Sequence, residues 1–156
     1  MEINYKDLFV HILTQDEIDE FSEIVIFLLK SAYKMEKDVQ EVTLTLPVKF
    51  AKTIEDYFTA IKQNRYDPIE FGNGLKSLID TLEKLDKVEL TMAMEPNYKL
   101  IQDISSWFYQ NVDKKVILKI NVDKNIIAGM HINYNGTFLD YSYQKIFNDK
   151  LSEIEK

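Results

Sequence analysis

The chain has 156 residues, 46% of them hydrophobic, with three prolines and four glycines, which excludes a disordered or collagen-like protein and leaves room for one ordinary domain or two small ones. Its net charge of -7, with Arg65 the single arginine, provides no basic footprint for nucleic-acid phosphates. The absence of cysteine removes disulfides, thiol chemistry and thiolate metal sites.

The opening Met-Glu-Ile-Asn-Tyr-Lys-Asp carries acids where a targeting signal is basic, so no targeting peptide is expected. The most apolar run, Ile24 to Leu29, falls far short of the roughly 20 residues that cross a bilayer. Ile3 to Leu13 reads as a short apolar helix. Thr14-Gln15-Asp16-Glu17 then forms a capping box, in which the threonine oxygen accepts from a first-turn amide and the glutamate reaches back, so a helix is expected from Gln15 to about Glu36. Its apolar positions Ile18, Phe21, Val25, Leu28, Leu29 and Ala32 have helical spacing, while Ile24, Ile26 and Phe27 fill the other sides. Two readings follow. The helix is the buried centre of a small bundle, or it keeps one side for a partner, with Phe21, Ile24, Phe27 and Leu28 as the contact residues.

A charged link, Glu36 to Gln40, precedes the alternating run Val42 to Leu46, which reads as a strand stopped by Pro47. Val48 to Asn64 returns to helical spacing through Ala51, Ile54, Phe58 and Ile61. Asp67 and Pro68 supply a cap and a first helical residue for the next stripe, Phe71, Leu75, Leu78, Leu82 and Leu85, although Gly72-Asn73-Gly74 could delay that helix to Leu75. No strand feeds this glycine pair and no Lys-Ser/Thr follows it, so it is not a nucleotide loop.

Val88 to Met94 alternates as a strand, Glu95-Pro96-Asn97 turns the chain, and Leu100, Ile101, Ile104, Trp107 and Phe108 mark an amphipathic helix. Val116 to Val122 is the next strand. A turn at Asp123 to Asn125 leads to a strand from Ile126 to Tyr134, and Asn135-Gly136 supplies the two positive φ values of a tight hairpin into Thr137 to Asp140. Gly129 inside the apolar strand marks a bulge or a close backbone approach. Asp140 or Ser142 is placed to cap a last helix whose stripe is Tyr143, Ile146, Phe147, Leu151 and Ile154. The expected fold is α+β: a small helical domain over residues 1–86, with one strand, and a βαββα domain over residues 87–156 that ends in a terminal helix.

No catalytic, cofactor or metal site is expected. His11 and His131 lie in separate elements without carboxylates at ligand spacing, Ser105 and Ser106 lack a nucleophile elbow, and Asp16, Glu17, Asp19, Glu20 and Glu23 complement the dipole of the helix they open. Met92, Met94, Trp107, Phe108 and Tyr109 read as core in preference to a binding surface.

From Val122 to Ser142 the order is Val-Asp-x-x-Ile-Ile-Ala-Gly, an apolar strand, a turn, and Asp-x-Ser before the last helix. This resembles the C-terminal signature of the delta subunit of F-type ATP synthases, whose mitochondrial counterpart is the oligomycin-sensitivity-conferring protein (OSCP). The family run is Val-Asp-x-x-Leu-Ile-Gly-Gly and then Asp-Gly-Ser. Val122, Asp123, Ile127, Gly129, Asp140 and Ser142 keep it, and Ala128 and Tyr141 depart from it; Gln144 and Lys145 stand near the place of a usual arginine. The resemblance covers about the last two fifths of the chain, and Asp123, Gly129, Asp140 and Ser142 are its structural residues. It implies a non-catalytic peripheral-stalk subunit, bound to the N-terminal helices of the alpha subunits and to the C-terminal region of the b subunit. Such a protein sits at the cytoplasmic face of the bacterial plasma membrane and meets the membrane only through the complex. The family's N-terminal domain is a longer six-helix bundle, so the N-terminal half reads as a shortened form. Two alternatives are an E-like stalk subunit of a vacuolar or archaeal ATPase, which ends in a loosely similar strand and turn, and a free-standing α+β module for a peptide or small ligand.

Overall fold

The computed structural model describes residues 8–34, 46–63 and 67–154. Their elements are α1 (Gln15–Lys34), α2 (Val48–Ile61), α3 (Pro68–Glu83), β1 (Asp86–Met92), α4 (Tyr98–Val112), β2 (Val116–Val122), β3 (Met130–Tyr134), β4 (Thr137–Asp140) and α5 (Tyr143–Ile154). Helices with a small mixed sheet give the α+β class expected from the sequence. Two compact units divide the chain: Met1–Ile12 with Asp16–Leu85, and Leu13–Gln15 with Asp86–Lys156.

The first unit is helical in its described part. Helix α1 begins at Gln15, where the capping box placed it. Asp67 accepts hydrogen bonds from the Ile69 and Glu70 amides, both at 2.9 Å, so α3 starts at Pro68 and the two glycines delay nothing. Gly74 serves packing: a Cβ there would lie 2.5 Å from the Phe58 ring, so a larger residue would push that ring away where α2 and α3 meet. The aromatic side chains then stack, Phe21 on Phe50 at 5.0 Å and Phe58 on Phe71 at 5.1 Å. Each such buried side chain contributes roughly 1.5–3 kcal/mol over leaving it in water. Tyr57 is buried because its hydroxyl donates to Ser77 Oγ at 2.8 Å, and the Lys49–Glu17 pair at 3.0 Å joins α2 to α1. Of the expected helix over residues 3–13, Leu8 is helical and Phe9 to His11 form a turn, with Phe9 and Ile12 buried, and residues 3–7 lie outside the described residues. Residues 42–45 of the expected strand lie outside the described residues.

The second unit is built on a four-stranded sheet in the order β2-β1-β3-β4. Strand β1 pairs in parallel with β2 and antiparallel with β3, and β3 pairs antiparallel with β4. A parallel pair needs a crossover, and α4 is that crossover. Val88, Leu90 and Met92 alternate toward one face and form a core with Val116, Leu118 and Phe108. At the outer edge of β2, the Leu118 amide donates to the Leu13 carbonyl at 2.9 Å, and Thr14 makes a single parallel bridge. Asn135 and Gly136 turn the hairpin with φ of 50° and 78°.

One expected strand is shortened. Ile126 to Gly129 form a loop, and β3 starts at Met130. The cause lies in Asp123, whose Oδ1 accepts from the Asn125 amide and side chain at 2.9 and 2.8 Å, while the Ile126 amide donates to the Asp123 carbonyl at 3.1 Å. A local turn of this kind offers the backbone an alternative to strand pairing.

Candidate functional site

Three of the four residues of the C-terminal motif, Gly129, Asp140 and Ser142, converge on the start of α5. Gly129 has φ of +90°, and a Cβ there would stand 2.2 Å from the Tyr141 carbonyl oxygen and 3.0 Å from Ser142 Cα. It therefore does not bulge a strand; it lets the 141–142 backbone lie against the 128–130 backbone. Two hydrogen bonds of 2.9 Å close that contact, Tyr141 N to the Met130 carbonyl and Tyr143 N to the Ala128 carbonyl. Asp140 Oδ1 accepts from the Ser142 amide at 2.8 Å and lies 3.3 Å from His131 Nε2, directly opposite across the β3–β4 pair. The hydrogen bonds from Ser142 hold the Asp140 carboxyl below its ordinary range, aided by the charges of His131 and Lys145. Ser142 is buried, and its Oγ accepts from the Lys145 amide at 3.4 Å, the position of a helix cap. Asp123 sits at the other end of the loop and turns the chain after β2. The cluster is the junction at which α5 leaves the sheet.

Beside that junction lies a groove of about 780 Å³ between α4, β3 and β4. Its α4 wall includes Asp103, Ile104, Trp107 and Phe108; the strands contribute Met130, Ile132 and Tyr134 from β3 and Leu139 from β4, with Tyr141 just beyond. Alternate residues of each strand share this face because the pleat has a period of two. The Phe108 ring meets Trp107 and Tyr134 edge to face at 5.1 and 5.7 Å, the arrangement that aromatic pairs favour. Asp103 is the one carboxylate among the described lining residues. The groove offers apolar area and shape, the means by which an amphipathic helix is held.

Helix α5 shows a second apolar surface. Tyr143, Ile146 and Phe147 share one side and are 63%, 47% and 60% exposed. On α1 the four residues taken as a partner face separate: Phe21 and Leu28 are 0% and 1% exposed, Ile24 is half-buried and Phe27 is 59% exposed. Phe21 and Leu28 are therefore core and present no surface to a partner. Four-residue spacing placed Phe21 and Val25 on the inner side, and Phe27 stands away from them beside the exposed Ile26.

Sequence reasoning also placed Trp107, Tyr109 and Met94 in the core, and they are exposed; Phe108 and Met92 are buried as expected. One turn of helix carries both Trp107 and Phe108, so they point to different sides. His11 is exposed and His131 half-buried, and among the described residues no group of three His, Asp or Glu could hold a metal ion. No described helix is long and apolar enough to cross a membrane.

Residues 15–154 match the family model of the ATP synthase delta (OSCP) subunit. The chain belongs to this family. The match spans both units and takes in Asp123, Gly129, Asp140 and Ser142, so the C-terminal resemblance extends through the helical part as well. Members of the delta (OSCP) family are peripheral-stalk subunits of F-type ATP synthase, a structural role and not a catalytic one. No curated protein matches the chain.

Proposed function

We propose that the chain is the stator link of a rotary F-type ATP synthase, tying the catalytic head to the b-subunit stalk so that proton-driven rotation is converted into ATP synthesis. Residues 1–86 take the N-terminal helices of the alpha subunits, and residues 87–156 take the C-terminal region of the b subunit. The family match over residues 15–154 carries this reading. It is supported by exposed apolar surface in each unit: Phe27 and Ile26 in the first, the α4–β3–β4 groove and the α5 face in the second. Such surfaces with polar rims suit a joint that resists torque and needs no reacting group. The complex would lie at the cytoplasmic face of a bacterial plasma membrane, with the chain reaching the membrane only through its partners.

The test is a two-partner binding measurement. Calorimetry of the chain against the isolated catalytic head, and against the soluble b-subunit stalk, should show two independent sites that can be filled together. Phe27→Asp should weaken the head site alone, and Trp107→Asp the stalk site alone. Binding to neither partner, or one partner displacing the other, would contradict the link.

A further inference from the structure

The α4–β3–β4 groove contains one charge that nothing in it compensates. Asp103 and Trp107 stand one turn apart on the same side of α4, so a segment that covers the 55% exposed indole passes over the carboxylate as well. An apolar segment would strip water from Asp103 without replacing it, and a covered, unpaired carboxylate opposes binding. The chain supplies no cation here. No lysine, arginine or histidine is among the described lining residues, and no hydrogen bond or ion pair joins Asp103 to another described residue. Lys99, one turn earlier on α4, lies outside the lining and forms no ion pair with Asp103. The Tyr134 hydroxyl is engaged elsewhere, donating to Asp86 Oδ2 at 3.3 Å. The positive charge has to come from what docks.

We infer that the groove selects an amphipathic helix with one lysine or arginine at the edge of its apolar stripe, and that Asp103 makes the selection. The apolar walls formed by Ile104, Ile132 and Leu139 hold a stripe of this kind but discriminate poorly between one apolar helix and another. Asp103 adds a charge-assisted contact for a helix with the cation in place. Against a helix with a neutral or acidic residue there, the same carboxylate is left covered and unpaired, or repelled. The pair also fixes the register of the helix along the groove. That the helix belongs to the b subunit rests on the stator reading; the charge selection stands on the groove alone.

Trp107 is the single tryptophan and lines the groove, so its fluorescence reports docking in the full-length chain. The probes are three tryptophan-free peptides of about 18 residues, long enough to hold a helix, with a leucine stripe and either lysine, glutamine or glutamate at one position on its edge. The lysine peptide should bind about fivefold more tightly than the glutamine peptide and at least about tenfold more tightly than the glutamate peptide, and should gain helicity on binding. Asp103→Asn should bring the three affinities together, and Asp103→Lys should reverse their order. Asp103 is exposed, so the free variants should keep the far-ultraviolet circular dichroism of the wild type. Equal affinities for the three peptides, no binding of any of them, or an order that Asp103→Lys leaves unchanged would each overturn the proposal. The soluble b-subunit stalk is titrated in parallel, and Asp103→Lys should weaken it about tenfold. A stalk that fails to bind the wild type while the lysine peptide binds would contradict the stator reading and leave the charge selection standing. A stalk that binds Asp103→Lys as tightly as the wild type would contradict the selection and leave the stator reading standing.

Discussion

Replacing Gly129 by alanine separates two roles a hairpin glycine can have. Gly129 and Gly136 both have positive φ, +90° and +78°, so an alanine at either pays backbone strain of about 1–2 kcal/mol. At Gly136 that is all, because nothing lies within 4 Å of its Cβ position. At Gly129 the Cβ would sit 2.2 Å from the Tyr141 carbonyl oxygen, and backbone cannot swing aside as a side chain can. The 141–142 segment must shift, which endangers the hydrogen bonds of the Tyr141 and Tyr143 amides at about 1 kcal/mol each. Gly129→Ala should therefore destabilise the second unit by about 2–4 kcal/mol and Gly136→Ala by about 1–2 kcal/mol. The single tryptophan, Trp107, lies in this unit, so its fluorescence in a urea titration reports the right transition. Hydrogen exchange at the Tyr141 and Tyr143 amides should quicken in Gly129→Ala only. Equal midpoints for the two variants would refute the close-approach account.

Ser142→Ala removes the oxygen that accepts from the Lys145 amide and should cost about 0.5–2 kcal/mol, read as loss of α5 helicity by amide exchange. The lowered pKa of Asp140 makes its contribution pH-dependent: full above the ordinary value of 3.8 and lost as pH falls through the lower folded value. Asp140→Asn should flatten that part of an acid titration of stability, followed by tryptophan fluorescence. Phe21→Ala should destabilise the first unit by about 3–5 kcal/mol, because it empties a buried stack. Phe27→Ala should change stability by less than about 0.5 kcal/mol and weaken head binding by about 1–3 kcal/mol.

The elements with strong local chemistry were legible in the sequence. Asp67 followed by proline fixed the start of α3, Asn135-Gly136 fixed the hairpin, and the strand expected over Val116 to Val122 has the bounds of β2. Ile126 to Gly129 misled because an apolar run reads as strand, whereas the Asp123 side chain had already committed the backbone to a turn. Burial around α1 was harder. A segment apolar on nearly every side does not reveal which side the neighbours cover, so Phe21, Leu28 and Phe27 looked alike until α2 supplied Phe50 opposite Phe21. The groove was invisible for a similar reason. It exists only where α4 meets β3 and β4, and adjacent residues such as Trp107 and Phe108 differ in exposure through helix geometry alone.

Reconstitution of the synthase gives the most direct test of the link between head and stalk. Membranes carrying the proton channel and b-subunit stalk, stripped of both the head and this protein, are given back the head with or without the chain, and proton-driven ATP synthesis is measured. Synthesis should return only with the chain, and Phe27→Asp or Trp107→Asp should each prevent it while the variants remain folded. Equal synthesis without the chain would contradict the account.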